Sequence, residues 1–349
     1  MERKSNTNQK ALTLSCTILS FKPQQIVVMA VLDTTKLAEI FINCDDFCKE
    51  LNAYELSQNC EHATISANQS GLSTSEMMSI VIFYHHSGMR CFCWYYQQVL
   101  QKHFMSYFPE LCSYNRFIQK MPRLFFPLYA FLLAHRLSHT TEGNYIDATK
   151  LVVCHNKRIF NHKVFEGFAS RGKSSTGWFF GFKLHAIINS NGQLVVVHIT
   201  TGSVADNNQD LLRAFSQRFQ GFLYGDKGYI SAIKEELKEN GMVLIHKNRK
   251  NMKKQPATPE QKYYLKYRGL IESAFGLMKN YCDIEHSRHR STKNFLVNLV
   301  AGLVAYTYLD HTPTIPPYQH KMDTEEISQI ELILNAVRIC ANKKVSINC

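Results

Sequence analysis

One stretch constrains the fold more than any other: Tyr145-Ile146-Asp147-Ala148-Thr149-Lys150-Leu151-Val152-Val153. It is rich in β-branched and aromatic residues and contains no Gly or Pro, which predicts a strand. Asp147 lies near its start between apolar neighbours. A carboxylate on a mostly buried strand is costly unless it is paired, hydrogen-bonded or bound to a metal. Taken alone, Asp147 reads first as an edge-strand acid facing water. Two acids further along the chain weigh against that.

Before this strand the patterning is helical. Residues 1–32 are polar and patternless, with Met29 a plausible start of the functional chain. From Asp33 to Leu51 the pattern predicts a helix capped by Thr34 or Thr35, with Leu37, Ile40, Phe41, Cys44 and Cys48 on one face. Residues 52–72 are expected to be a loop. Ser73 or Thr74, with Glu76 following, signals the next helix start, and that helix should end at Gly88. Further helices are expected over Cys93–Tyr107, Ser113–Met121 (breaking at Pro122) and Pro127–Leu137. This block, 33–140, has the make-up of a DNA-reading helical domain and equally of plain helical packing.

After Thr141 strands dominate. A basic connection covers 154–173, and Gly177–Ile188 and Leu194–Thr200 form a hairpin about Asn191-Gly192. Asp206-Asn207-Asn208 offers a cap for a helix over Asp210–Phe219, with Asp206 simplest as part of that cap. Phe222–Asp226 is a short strand ending in an acid, Ser231–Asn240 a helix and Met242–His246 a fifth strand. Glu260–Tyr281 is expected to be one long helix. On it Arg268, Glu272 and Lys279 share a face. The Pro-rich run His311–Pro317 ends this region, and 311–349 is a tail holding an amphipathic helix over Asp323–Lys344.

The order β-β-β-α-β-α-β-α resembles the ribonuclease H-like fold: an α/β domain over 141–310 with a mixed five-stranded sheet, its first strand central, preceded by the all-helical block. That resemblance implies that Asp147 and Asp226 are neighbours and that the last helix brings Glu272 to them. Three such acids supply oxygen ligands for a pair of divalent ions, and Mg²⁺ prefers oxygen. Two ions would activate water or a 3′-hydroxyl and stabilise the departing oxygen at phosphorus.

The chain resembles the DDE transposases of bacterial insertion sequences, and within them insertion-sequence family nine-eight-two. The stretches that carry this are FINCDDFCKEL (41–51), the helical run from Leu72 to Pro122, Tyr145–Thr149, GFKLH (181–185), YGDKGY (224–229) and Tyr267–Lys279. The resemblance implies a catalytic, metal-binding triad of Asp147, Asp226 and Glu272, two Mg²⁺ ions (Mn²⁺ substituting), and cleavage and joining of double-stranded DNA by a homodimer. Arg268 and Lys279 keep the spacing of the family's Tyr-Arg-Glu-Lys signature, but Leu265 stands at its Tyr position. The interval from Asp226 to Glu272 leaves no room for a large inserted domain.

Charge agrees with a polyanionic partner. The 349 residues carry a net charge of +12, and a basic chain favours nucleic acid or an anionic surface. Lys247, Arg249, Lys250, Lys253 and Lys254 make the strongest electrostatic patch for a DNA backbone. Lys183 and His185, two apart on one strand, face one side of the sheet and are expected to approach the substrate. The 11 cysteines lack zinc-site spacing, so reduced thiols and a cytoplasmic, nucleoid-associated protein are expected. No apolar run reaches the ~20 residues of a membrane span. Two other functions remain open at this point: a decayed, DNA-binding descendant of a transposase, and a metal-dependent nuclease that does not join strands.

Overall fold

The computed structural model describes residues 33–58, 71–229, 232–246, 257–286 and 289–319. The poorly patterned extension 1–32, the basic loop 247–254 and the helix expected over 323–344 lie outside the described residues.

The strand register places Asp147. β1 (Asn144–Cys154) is the strand that the patterning predicts, and it is central, as the resemblance implies. It pairs antiparallel with β3 (Gly177–Asn189), Asp147 opposite Ala186, and parallel with β5 (Gly221–Gly225) through Asn144↔Leu223 and Tyr145↔Tyr224. β6 (Met242–His246) continues the sheet beyond β5. β4 (Leu194–Thr201) pairs with the second half of β3.

The sheet has six strands, not the five expected. β2 (Ser170–Ser174) pairs with the first half of β3 inside what the sequence presents as a connection. Its residues, Ser-Arg-Gly-Lys-Ser, carry no apolar alternation, so the pattern test misses it. At Gly172 this strand also comes close to the chain that follows β4. A Cβ there would stand 2.1 Å from the Gly202 carbonyl oxygen, a contact only Gly permits.

The two sheet faces carry different layers. On one, α7 (Gln209–Ser216) and α8 (Lys234–Glu239) cover Ile146, Ile187, Val196, Leu223 and Leu244. On the other lie α9 (Pro259–Lys266), α10 (Leu270–Asn280) and α11 (Thr292–Tyr306), whose apolar side chains join those of the N-terminal helices in one continuous core. The axis of that core is α2 (Thr74–His86), buried at nearly every position from Ser75 to His85 and packed on α11. Its start is the predicted capping box of Ser73 and Glu76.

Several helix boundaries differ from expectation for local reasons. α1 (Thr34–Ser57) is capped by Asp33, whose carboxylate accepts from Thr35 N at 2.8 Å. It runs past Leu51 because residues 52–57 hold no Gly or Pro. Phe47, rather than Phe41, is its buried aromatic. The helix expected over Cys93–Tyr107 is shorter and composite: α3 (Phe92–Trp94), a π turn (Tyr95–Leu100) and α4 (Gln101–His103). The wide turn buries Tyr95, Tyr96, Val99 and Leu100 together. As expected, the α-helix α5 (Tyr114–Lys120) stops at Pro122, which sits at the start of a 3₁₀ turn (Met121–Leu124) where its missing N–H is harmless; α6 (Phe125–Phe131) and a π turn (Leu132–Arg136) follow.

The long helix expected over Glu260–Tyr281 is two helices. Thr258 caps α9 in a box with Gln261, and the chain turns at Tyr267-Arg268-Gly269 before α10 begins. Gly269 weakens helix continuity there. Arg268 therefore sits in a turn, and Glu272 falls in the first turn of a new helix.

Candidate active site

Three elements meet at the end of β1. Successive strand residues alternate faces. Asp147 thus shares the face of Tyr145, whose hydroxyl donates to the Tyr264 carbonyl of α9. Asp226 follows directly on β5. The close seat of that strand end depends on Gly225, where a Cβ would stand 3.1 Å from Ile146 Cγ2 and 3.2 Å from the Tyr229 ring. Glu272 arrives on α10, which packs on β1. Its place in the first turn puts a carboxylate at the positive end of the helix dipole.

Arg268 stands between two of these acids. Its Nη1 is 3.4 Å from Asp226 Oδ1 and 4.0 Å from Glu272 Oε1. Asp226 and Glu272 keep 52% and 65% of their side chains exposed, so both are open to a ligand. Asp147 lies deeper. Burial pushes its carboxyl up to about 6, the Ala148 N–H opposes that at 2.8 Å, and the charges of Asp206, Glu272 and Asp226 raise it further. Asp147 thus lies within electrostatic reach of Asp206, Glu272 and Asp226.

Asp206 is the fourth acid. It does not cap α7; Asn208 does, accepting from Leu211 N at 3.0 Å. Asp206 instead accepts from Lys183 Nζ at 2.8 Å. Its charge acts on Asp147 ahead of those of Glu272 and Asp226. Tyr229 completes the group. Its hydroxyl is buried without a partner among the described residues, and burial, then Asp147, Asp206 and Asp226, hold its pKa far above the usual phenol value.

Other expected site residues are engaged elsewhere. Asp147 pairs with Ala186, so the pleat turns Lys183 and His185 to the opposite face. Both are buried. Lys183 also donates to the Val204 carbonyl, and His185 Nε2 lies 2.8 Å from Thr200 Oγ1. Lys279 donates to the Lys150 carbonyl at 2.5 Å and pairs with Glu285 at 2.8 Å, and Glu285 accepts from Val152 N. That chain of contacts ties α10 to β1. The five basic residues of 247–254 are not among the described residues.

A surface that the sequence reading left out lies on the β2–β3 hairpin. Arg171 and Lys173 project over the exposed ring of Trp178, at 5.5 and 5.9 Å from its centroid. Phe160 and Phe168 are exposed in the preceding connection. Alternation of basic and aromatic residues along 157–178 was the available signal.

Residues 137–292 match a family model described as a transposase DDE domain. The matched span holds all six strands and Asp147, Asp226 and Glu272, and it supports a DDE transposase. No curated protein and no solved structure matches the chain. Among the described residues no helix is long and apolar enough to cross a membrane.

The donor set suits a hard divalent cation in its chemistry. It is all oxygen and crowds negative charge, and a cation would relieve the raised proton affinity of Asp147. As the side chains stand, no three His, Cys, Asp or Glu of the described residues close round a common point. Arg268 supplies positive charge between Asp226 and Glu272 instead.

Proposed function

We propose that the chain is a DDE transposase of an insertion sequence, akin to family nine-eight-two, with a ribonuclease H-like catalytic domain that cuts and joins double-stranded DNA. What supports this is the match of residues 137–292 to a transposase DDE domain, a span that carries Asp147 on the central strand, Asp226 directly after the adjacent strand and Glu272 in the first turn of a helix packed on that central strand. These three would hold Mg²⁺, which when bound activates a nucleophilic hydroxyl and offsets charge at the scissile phosphate. Asp147, fixed by the Ala148 N–H, is the anchor of the set. Arg268 keeps Asp226 and Glu272 from repelling one another and has the planar fork that suits a DNA phosphate. Lys279 and Glu285 hold α10, and hence Glu272, at a set height above β1. Two DNA ends imply two protomers, acting in the cytoplasm at the nucleoid.

A second reading, DNA binding without cleavage, is favoured by one observation: the carboxylates do not close round a single point. The deciding experiment is plasmid nicking. Purified protein is incubated with its gene's flanking DNA in Mg²⁺, in Mn²⁺ and in EDTA, beside Asp226→Asn. Nicks at fixed flanking positions that require metal and vanish in Asp226→Asn support the transposase. Joining of the cut ends to a second plasmid separates it from a simple nuclease. Binding to the flanks with no nicking in either metal would overturn cleavage and leave the second reading.

A further inference from the structure

A cavity of about 870 Å³ opens between the N-terminal helices and the segment that follows α10. It lies apart from the acids: eight residues of helix separate Glu272 from Asn280, about 12 Å at the helical rise. Its walls are of three kinds. Aromatic faces come from Phe92 and Tyr114, both half-buried, their ring centroids 6.3 Å apart. Amide side chains come from Asn115 and Gln119, both exposed on α5. Cationic or protonatable groups come from Arg90, His286 and Arg290. No Asp or Glu lines it among the described residues.

The charges around the cavity are arranged unevenly. Asp283, just outside the lining, takes up Arg90 at 2.8 Å and approaches His286 at 3.6 Å. Arg90 also donates to the Asn280 carbonyl. Arg290 is exposed and forms no ion pair among the described residues. One guanidinium is therefore structural and the other is available to an anion.

Two lining residues carry buried polar atoms that nothing in the described chain satisfies: His289 Nε2 and Asn294 Oδ1. An unmet buried donor or acceptor costs free energy that a correctly placed partner removes. Burial and the neighbouring His286 push the His289 imidazole down to about 4. The ring is neutral at physiological pH and offers one donor and one acceptor.

We propose that this cavity receives one unpaired nucleotide of a DNA strand, its base against Tyr114 and Phe92 and its phosphate at Arg290. This rests on the DNA-acting function above. A stacked, paired base hides both ring faces, so an aromatic-walled cavity of this volume suits a base that has left the helix. Amide side chains suit base edges, and a free guanidinium suits a phosphate.

The test uses the full chain and three duplexes of one sequence: fully paired, carrying one extrahelical 2-aminopurine, and carrying an abasic residue in that place. The bulged duplex should bind about tenfold more tightly than the paired one, the worth of a single base–aromatic stack. Its 2-aminopurine fluorescence should be quenched on binding, and the abasic duplex should show no such gain. Tyr114→Ala and Arg290→Gln should each lose the preference and keep paired-duplex affinity. Arg290 is exposed, so its variant guards against a Tyr114→Ala that misfolds. Equal affinity for bulged and paired DNA would overturn the proposal, as would a preference that both variants retain. A cavity built for a protein's aromatic side chain gives the first of these outcomes. Nicking in Mg²⁺ is scored separately on the same preparations. Nicking without a quench defeats the pocket alone, and a quench without nicking defeats the cleavage function alone.

Discussion

Arg268 Nη1 lies 3.4 Å from Asp226 Oδ1, so a guanidinium occupies the approach to two of the three clustered acids. A divalent cation held by Asp226 and Glu272 must compete with that charge. Arg268→Gln should therefore lower the Mn²⁺ concentration that gives half-maximal thermal stabilisation, by several-fold. The same variant should nick DNA more slowly if the guanidinium also orients a phosphate. Melting temperature against Mn²⁺ concentration checks the first point. An unchanged or higher midpoint would mean that Arg268 does not compete for the acids.

Asp147 makes the fold pH-sensitive. Its carboxyl is raised from the ordinary 3.8 to about 6 in the folded chain, first by burial. The folded state thus holds a proton that the unfolded state has released between those values. Its contribution to stability is fully present below 3.8 and is lost as pH rises through 6. Asp147→Asn stays uncharged throughout. In EDTA its melting temperature relative to wild type should climb from pH 4 to pH 7.5 and level off above that. Taking the difference between the two proteins cancels the buried histidines they share. A difference that does not change with pH would refute the raised carboxyl.

Lys279 separates a structural role from a DNA contact. It is bound to the Lys150 carbonyl and to Glu285, with 17% of its side chain exposed. Lys279→Met should cost about 1–3 kcal/mol of stability, the range for a hydrogen bond to a charged group. The salt slope of DNA binding should not change. Urea unfolding and binding at several salt concentrations give the two numbers. A flatter salt slope with unaltered stability would assign Lys279 to the DNA backbone.

Gly302 marks the tightest point between α2, α11 and the segment after α10. A Cβ there would meet Ile284 Cγ2 at 2.6 Å and the Cys282 carbonyl oxygen at 3.0 Å. That carbonyl already lies 2.7 Å from His85 Nδ1. Gly302→Ala should destabilise the protein by about 1–3 kcal/mol through overpacking. Denaturant unfolding measures this, and a variant as stable as wild type would show that the segment after α10 yields freely.

The site's outline was legible because strand chemistry is strong around Asp147 and Asp226. Both acids stand at or near the ends of apolar runs, and such runs specify β1 and β5; that these two strands pair was implied by the resemblance to a known fold, not by the runs themselves. Glu272 could be assigned to a helix but not to that helix's first turn, since one Gly outweighed a long helical pattern at 267–269. β2 escaped because its residues, Ser-Arg-Gly-Lys-Ser, are polar or lack a side chain, so period-2 patterning does not register it. Lys183 looked available on sequence because a strand lysine usually points to water; its partner, Asp206, is 23 residues away and reads locally as a cap. The cavity of Tyr114 and Arg290 has no short-range motif, as it draws on segments that only the fold brings together, whereas the aromatic-basic hairpin is local and its alternation is written in 157–178.

The β2–β3 hairpin offers the clearest described surface for a DNA backbone. Arg171 and Lys173 are exposed, point along the same strand two residues apart and flank the Trp178 ring. Each lysine or arginine that neutralises a phosphate releases counterions, and the logarithm of affinity falls with the logarithm of salt by about 0.9 per contact. Replacing both residues with Ala should lower that slope by about 2, one contact's worth for each. Trp178 fluorescence reports the same event without a label, because only one other tryptophan, Trp94, is present. DNA should alter the emission of wild type and of Trp94→Phe alike. If the double variant keeps the full slope and Trp178 is insensitive to DNA, the hairpin is ruled out as a contact and the basic run 247–254 remains the principal candidate.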